Sequence, residues 1–481
     1  MHNDSAKILH APSPHVSIHS EKPTGSGLES GGETGVAVSV QQVEHVPEGT
    51  ASPGKALFML LKAFVGTGVI FLPGSFVSGG LVFSICLMIF IASVCLVAFQ
   101  MLIYAQRQVG GSYDAVGERL YGPWLQHIIK FFLCLSQMGF VASYLIFISQ
   151  NIGLAVDHLS NCTSSLDSKY YIWMVLAIII PITWVRKIAR LSWFAIIADV
   201  FILFGLICVL YFSAAQIAQQ HGPGPNLQMI NGQDFALMIG TGIISSSILA
   251  IFSQINPRNL VSTAVFSFEG IGMVIPIVEG MKDPDKFPMV MNLGLPIVGC
   301  IFVLIGAIGY SAFGDNTYAS VVANLPAVPL STAVQLLYAL AMILTSPFML
   351  YPALTIIEQG LYGKHGLFGY HSGRLSLKWK WIKNFTRSMV AVVCAIVSFG
   401  VGPSGLDKFV ALVGSVACMP LCFIFPGMFH YKVTDNKWKR IGDVIMTLWG
   451  FGITIYTMYV NIHSWVSPSV PNRPTPDTCP A

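Results

Sequence analysis

Charge is what this sequence has least of. Asp, Glu, Lys and Arg make up 48 of its 481 residues, or 10%, where a soluble domain carries about 25%. With 54% hydrophobic residues and a mean hydropathy of +0.68, the chain reads as an all-α polytopic membrane protein. A net charge of +4 gives no reason to expect a nucleic-acid partner. Also missing are the H-E-x-x-H, G-x-S-x-G and P-loop spacings, so an enzyme is not expected. Nor is a metal site. No basic stretch precedes an apolar one at the N-terminus, which argues against a cleaved signal peptide and leaves targeting to the first apolar helix.

Residues 1–53 are rich in Ser, Gly, Pro, His and Glu and show no periodic apolar face. Such a stretch cannot offset its ordering entropy by burial, so a disordered tail is expected there. Eleven apolar stretches follow, near 57–80, 81–105, 127–156, 170–185, 192–217, 264–280, 290–313, 330–360, 384–402, 406–430 and 441–465. With the N-terminus in the cytosol, the cytosolic loops carry 16 Lys and Arg, including Arg107, Arg186, Lys282, Lys378 and Lys439. The opposite side carries only Lys169, Lys408 and Arg473, as the positive-inside rule requires. Residues 466–481 then form a short lumenal tail. Asn161-Cys162-Thr163, between spans three and four, is the one good glycosylation candidate. Cys162 and Cys479 face the same side and are free to pair or not, whereas the other eight cysteines lie in apolar spans and read as small core residues.

The first span, Leu57 to Gly80, is apolar enough to cross a bilayer yet contains Gly66-Thr67-Gly68, with Pro73 a turn and a half later. These residues are poor material for a continuous helix. Irregular backbone at membrane depth survives only where protein shields it or it lines a cavity, so the break points to a binding site. Span six carries a second break, Phe268-Glu269-Gly270-Ile271-Gly272, followed by Pro276. The plainer alternative is that both glycine clusters serve only close helix packing.

Three runs carry a resemblance. LLKAFVGTGVIFLP in span one, IADVFILFGL at 197–206 and AVFSFEGIGMVIPIVEGMKDPDKFP at 264–288 together resemble the amino acid/auxin permease family, in particular its fungal vacuolar amino-acid transporters. The likeness runs from about residue 54 to 465, the expected transporter domain. It implies a LeuT-like architecture of eleven transmembrane helices, with two inverted five-helix repeats and one extra helix. It also implies an amino-acid substrate. Donors for the substrate carboxylate would come from Gly66, Thr67 and Gly68 at a half-helix N-terminus, and acceptors for its ammonium group from the unwound carbonyls of Phe266, Ser267 and Phe268. Phe266 and Phe268 either wall the side-chain pocket or pack ordinarily; if they wall it, neutral substrates fit best.

Glu269, in mid-span, is a candidate for proton coupling, since an intramembrane carboxyl marks an ion pathway by default. The alternative is a protonated side chain that fixes the kink. Asp199 in span five is the second candidate, placed two turns from the cytosolic end and able to pair with span one or eight. Lys62 reads as snorkelling to the cytosol, and Glu279 and Glu358 as solvated near helix ends. Animal relatives carry a His where this chain has Met59, so any proton coupling must use another group. No cofactor is expected beyond the proton.

Gly242–Thr263 interrupts the family pattern. Deleting these 22 residues restores DFALMIGTAVFSFEGIGMVIP, and the corresponding nucleotides keep the frame, so the segment reads as a translated short intron. The rival is a true insertion; an added crossing is excluded, because it would invert every later basic loop. Two functional readings follow: a proton-coupled carrier of neutral amino acids exporting from the vacuole, or a non-transporting receptor on the same fold. The vacuolar membrane is expected, with the plasma membrane as the alternative.

Overall fold

The computed structural model describes residues 51–66, 68–161, 163, 166–186, 188–230, 260–363, 366–369 and 376–466. Each apolar stretch becomes helix, because a backbone without water must satisfy its polar groups internally. Span one is α1 (Pro53–Phe64), a short 3₁₀ turn (Gly68–Phe71) and α2 (Leu72–Gly79). Then come α3 (Leu81–Val109), the short α4 (Tyr113–Tyr121), α5 (Pro123–Leu159), α6 (Tyr171–Thr183) and α7 (Ile188–Gln219). Span six is α8 (Leu260–Ser267) and α9 (Ile271–Glu279), followed by α10 (Phe287–Phe313), α11 (Pro329–Tyr362) and α12 (Leu377–Val401). Span ten is α13 (Leu406–Val413), two π-helical turns (Gly414–Cys418 and Pro420–Ile424) and α14 (Phe425–Val433); α15 (Lys437–Val466) is the last described helix.

Nine of the described helices are long and apolar enough to cross a membrane, and the bent pair in span one makes a tenth. Span four falls short of the expectation. Its apolar helix is Ser168–Thr183, about 24 Å at 1.5 Å per residue, against about 30 Å of hydrocarbon.

Burial is uneven in an informative way. Spans six and ten are the most enclosed, 83% and 89% buried, while α15 is only 22% buried. Spans six and ten, both with irregular backbone, therefore sit where protein, not lipid, surrounds them.

Several expectations need correcting. The tail expected to run to residue 53 is already tied down at its end: Ser52 caps α1 through the Lys55 N–H. Ala51 forms a two-bond bridge with span six, its N–H donating to Gly280 O and its O accepting from Lys282 N–H, both at 3.0 Å. Cys86 and Cys300 are exposed rather than core residues; in a spanning helix such a face meets lipid. Glu358 is not solvated: Arg387 grips it at 2.7 Å, the two side chains being 3% (Arg387) and 16% (Glu358) exposed. Residues 242–259 of the anomalous segment lie outside the described residues, as do Cys162 and Cys479. Its last four, Leu260–Thr263, form the first turn of α8 and are all buried, with Ser262 Oγ accepting from Asn461 Nδ2 at 3.3 Å. Met238–Thr241, which would take their place after deletion, repeat the order of two apolar residues, a small one and Thr.

Candidate functional site

The first break starts at Val65 (φ −79°, ψ 68°), where the Gly66 N–H turns back to Phe64 O at 2.8 Å. This is an i to i+2 turn that closes the helix. The second lies between Ser267 and Ile271. There the Phe268 N–H still reaches Ala264 O at 2.9 Å, but the Glu269 N–H makes only a 3.4 Å bond to Phe266 O.

The two breaks meet each other. Ser267 Oγ donates to Gly68 O at 3.0 Å and to Thr263 O at 2.9 Å. A Cβ on Gly68 would stand 2.7 Å from Ser267 Cα, and one on Gly270 would stand 2.7 Å from the Phe64 ring. Gly68 and Gly270 are thus each the contact surface for the other break, and no larger residue fits at either without moving backbone or ring. Gly66 is on the partly open side, where an added Cβ would meet nothing within 4 Å. Thr67 lies outside the described residues.

Phe266 and Phe268 point into different surroundings. Phe266 is 1% exposed and packs on Phe140 (centroids 4.4 Å) and Phe71 (6.2 Å), and Phe71 in turn meets Phe147 edge-on at 6.0 Å. Phe268 is fully buried against Phe302 at 4.9 Å. Of the two, only Phe266 joins an aromatic group that the second half of span one shares. Phe71, Phe140 and Phe147 were missed by sequence reasoning, because aromatics in apolar helices carry no positional signal.

Glu269 is 8% exposed, and its Oε1 has no hydrogen-bond partner. Tyr113, Cys418 and Cys422 lie within electrostatic reach of it, and the Tyr113 hydroxyl is committed to Leu421 O at 2.7 Å. A buried, unsatisfied carboxyl costs several kcal/mol, so it is poor material for fixing a kink. A group that must exchange a proton or a ligand has that character.

Of the two spans expected to offer Asp199 a partner, one and eight, span one supplies it, as Lys62. Their Nζ–Oδ2 distance is 2.6 Å, with side chains 32% (Asp199) and 27% (Lys62) exposed. Lys62 therefore does not snorkel away. Asp199 lies eleven residues into α7 and Lys62 nine into α1, about 16 and 14 Å along their helices. Asp199 is three turns from the helix start rather than two, since α7 begins at Ile188. Asn161 is exposed in a left-handed turn at φ 48°, open to modification. Met59 is 38% exposed on the outer face of α1, away from the breaks. Among the described residues no group of His, Cys, Asp and Glu could hold a metal ion.

Facing half-helices inside an all-helical bundle, with an unsatisfied carboxyl at one break, are the arrangement in which transporter folds build a mid-membrane solute site. The chain belongs to the family described as transmembrane amino acid transporter protein, which matches residues 49–466. It is 34% identical to vacuolar amino acid transporter 3 of Schizosaccharomyces pombe over 86% of this chain and 58% of that one. With vacuolar amino acid transporter 4 of Saccharomyces cerevisiae the identity is 31%, over 92% and 63%. The chain thus spans about 58–63% of the length of these two fungal relatives. Two solved structures share the fold. The inward-facing conformation of Mhp1 aligns at a TM-score of 0.54 (14% identity, 91% of this chain, 96% of that one), and MhsT in complex with L-phenylalanine at 0.52 (11%, 86% and 99%). Both are LeuT-fold transporters.

Proposed function

We propose that the chain is a secondary active transporter that moves neutral amino acids from the vacuole to the cytosol by alternating access, coupled to protons. The observation that carries this reading is the contact of the two breaks through Gly68, Ser267, Gly270 and Phe64. An amino acid bound there would place its carboxylate on the N–H groups of Thr67 and Gly68, joined by that of Gly66 once it releases Phe64 O, and its ammonium group near the carbonyls of Phe266, Ser267 and Phe268. Phe266 and its aromatic neighbours would enclose an uncharged side chain. The vacuolar membrane is proposed from the names of the fungal relatives.

In this reading α6 is a short true crossing, which brings the spans to eleven. Spans one to five and six to ten are inverted repeats, each opening with a broken helix. Residues 1–53 are a cytosolic tail, 54–465 the transporter and 466–481 lumenal, and Asn161 is a lumenal glycosylation site. Glu269 and Asp199 are the coupling carboxyls.

The test is uptake of labelled neutral amino acids into liposomes with an imposed pH gradient, for the full chain and for the chain without 242–263, each beside its Glu269→Gln counterpart. One pH unit can drive about tenfold accumulation for one proton per substrate. The wild type should approach that ratio, while the Glu269→Gln protein should only equilibrate substrate. Binding without any flux in the wild type would overturn the carrier and establish a receptor.

A further inference from the structure

Above the aromatic group lies a second polar region that the substrate site does not use. In α5, Gln150 is 5% exposed and Asn151 fully buried; in α11, Gln335 is 1% exposed and Ser331 fully buried; in α7, Ser213 is fully buried. Gln150 Oε1, Asn151 Oδ1, Gln335 Oε1, Ser331 Oγ and Ser213 Oγ all lack a hydrogen-bond partner. Native proteins leave only a few such atoms per 100 residues. Five on three neighbouring helices therefore mark a place where something polar belongs.

Three contacts fix these residues together. The Phe147 and Tyr338 rings meet edge-on at 6.2 Å, and His158 Nδ1 lies 3.2 Å from Thr332 Oγ1, which sets α5 and α11 antiparallel. Gln150 and Asn151 follow Phe147 by one turn, Gln335 precedes Tyr338 by one turn, and Ser331 precedes Gln335 by one more. Residues three and four apart share a helix face, so Gln150, Asn151 and Gln335 lie in the interval bracketed by the two contacts and Ser331 lies one residue past its Thr332 end. On α7 the Tyr338 hydroxyl donates to Ile202 O at 3.2 Å, and its ring lies against Gly205. Ser213, eight residues beyond Gly205, reaches the level of Ser331.

The same face of α7 continues downward. Asp199, Ile202, Leu206, Val209 and Ser213 recur at spacings of three and four, which places Asp199 about 21 Å below Ser213 and one turn below the carbonyl that holds Tyr338. The groups around Asp199 are few. Lys62 comes from α1, the Tyr338 hydroxyl of α11 sits on the Ile202 carbonyl three residues away along α7, and α10 contributes no charged residue. The single charge on α11, Glu358, is taken by Arg387.

We propose that these residues form a hydrated seam between spans three, five and eight that carries protons from the lumen to Asp199, with Tyr338 as the hydroxyl at its inner end. The lining offers carboxamide and hydroxyl oxygens and no fixed charge, the chemistry of a water chain that passes hydronium and admits no anion. A proton entering at His158 moves along water to the Tyr338 hydroxyl, which accepts it while releasing its own to Asp199. The carboxylate becomes a carboxyl and Lys62 loses its counter-ion, which frees α1 to move. The proton leaves Asp199 on the cytosolic side and the pair re-forms. The inference rests on the proton-coupled reading above and assigns the lumen-fed step to Asp199 rather than Glu269.

The test is a Gln150→Met/Gln335→Met double variant of the full chain. Methionine keeps the side-chain length and removes both carboxamide acceptors, and because those oxygens have no partners, thermal stability should be unchanged. In liposomes with a gradient of one pH unit, accumulation should fall from about tenfold to unity, while substrate exchange at equal pH persists at the wild-type rate. Hydroxyl-radical footprinting supplies a readout independent of transport. Tyr338, fully buried, should be oxidised in the wild type through adjacent water and protected in the variant. Full accumulation by the variant, or an unlabelled Tyr338 in the wild type, overturns the seam. If the wild type shows no gradient-driven flux while Tyr338 is labelled, the coupling reading fails and the hydrated region stands as a water site without a proton role.

Discussion

Arg387→Met should be among the most destabilising single changes in this chain, and the reason can be counted. The Arg387 guanidinium donates to Glu358 Oε1 at 2.7 Å and Oε2 at 3.1 Å, and to the carbonyls of Thr183 at 2.9 Å and Val185 at 3.3 Å. It therefore ties spans four, eight and nine together at their basic end, where its face also lies over the Tyr351 ring. Removing it leaves a buried carboxylate without a counter-ion, which costs about 3–5 kcal/mol. Removing both partners, in Arg387→Met/Glu358→Leu, leaves only two carbonyls short of a donor, about 1 kcal/mol each. The carbonyls go short in the single variant too, so the double variant should recover the carboxylate penalty of about 3–5 kcal/mol. Unfolding in mixed micelles titrated with dodecyl sulfate measures this, with Trp184 as a local reporter because its Nε1 donates to Ser388 Oγ at 2.9 Å, one residue from Arg387. A single variant within about 1 kcal/mol of wild type, or a double no more stable than the single, would refute the reasoning.

Gly68→Ala should reduce transport at least tenfold and destabilise by about 1–3 kcal/mol, the usual cost of overpacking. Adding Ser267→Gly should restore part of both, which a double-mutant cycle reads directly. Lys62→Met should be more harmful to folding yield than Lys62→Met/Asp199→Asn, since the single change strands Asp199; equal yields would argue against a working ion pair. Asn161→Gln should remove a glycan-sized mobility shift in protein from a eukaryotic host, and an unchanged mobility would place that loop elsewhere or leave it unmodified.

The two broken spans were legible because glycine next to proline is costly in a helix, and the cost shows in sequence wherever it is tolerated. The Lys62–Asp199 pair was half legible: a charge deep in an apolar run implies a partner, but the choice of partner depends on helix packing. Glu358 was misread for a related reason. Its partner, Arg387, stands on α12 (Leu377–Val401), 29 residues further along the chain, and only the packing of α11 on α12 brings the two together. The polar residues of α5 and α11 went unnoticed because one Gln or Ser barely changes the hydropathy of helices of 37 and 34 residues. Only their convergence makes them conspicuous, and convergence is a property of the tertiary structure. The same holds for the aromatic group around Phe266, which span one, α5 and α8 assemble from segments far apart in the chain.

The bridge between Ala51 and the Gly280–Lys282 turn turns the start of the described chain into a lever arm. Ala51 is two residues from α1 and its partners are one to three residues past the end of α9, so the clasp spans the two half-helices that meet at the breaks. A force, charge or bound protein acting just upstream of Ala51 would pull on both at once, with no intervening loop to absorb it.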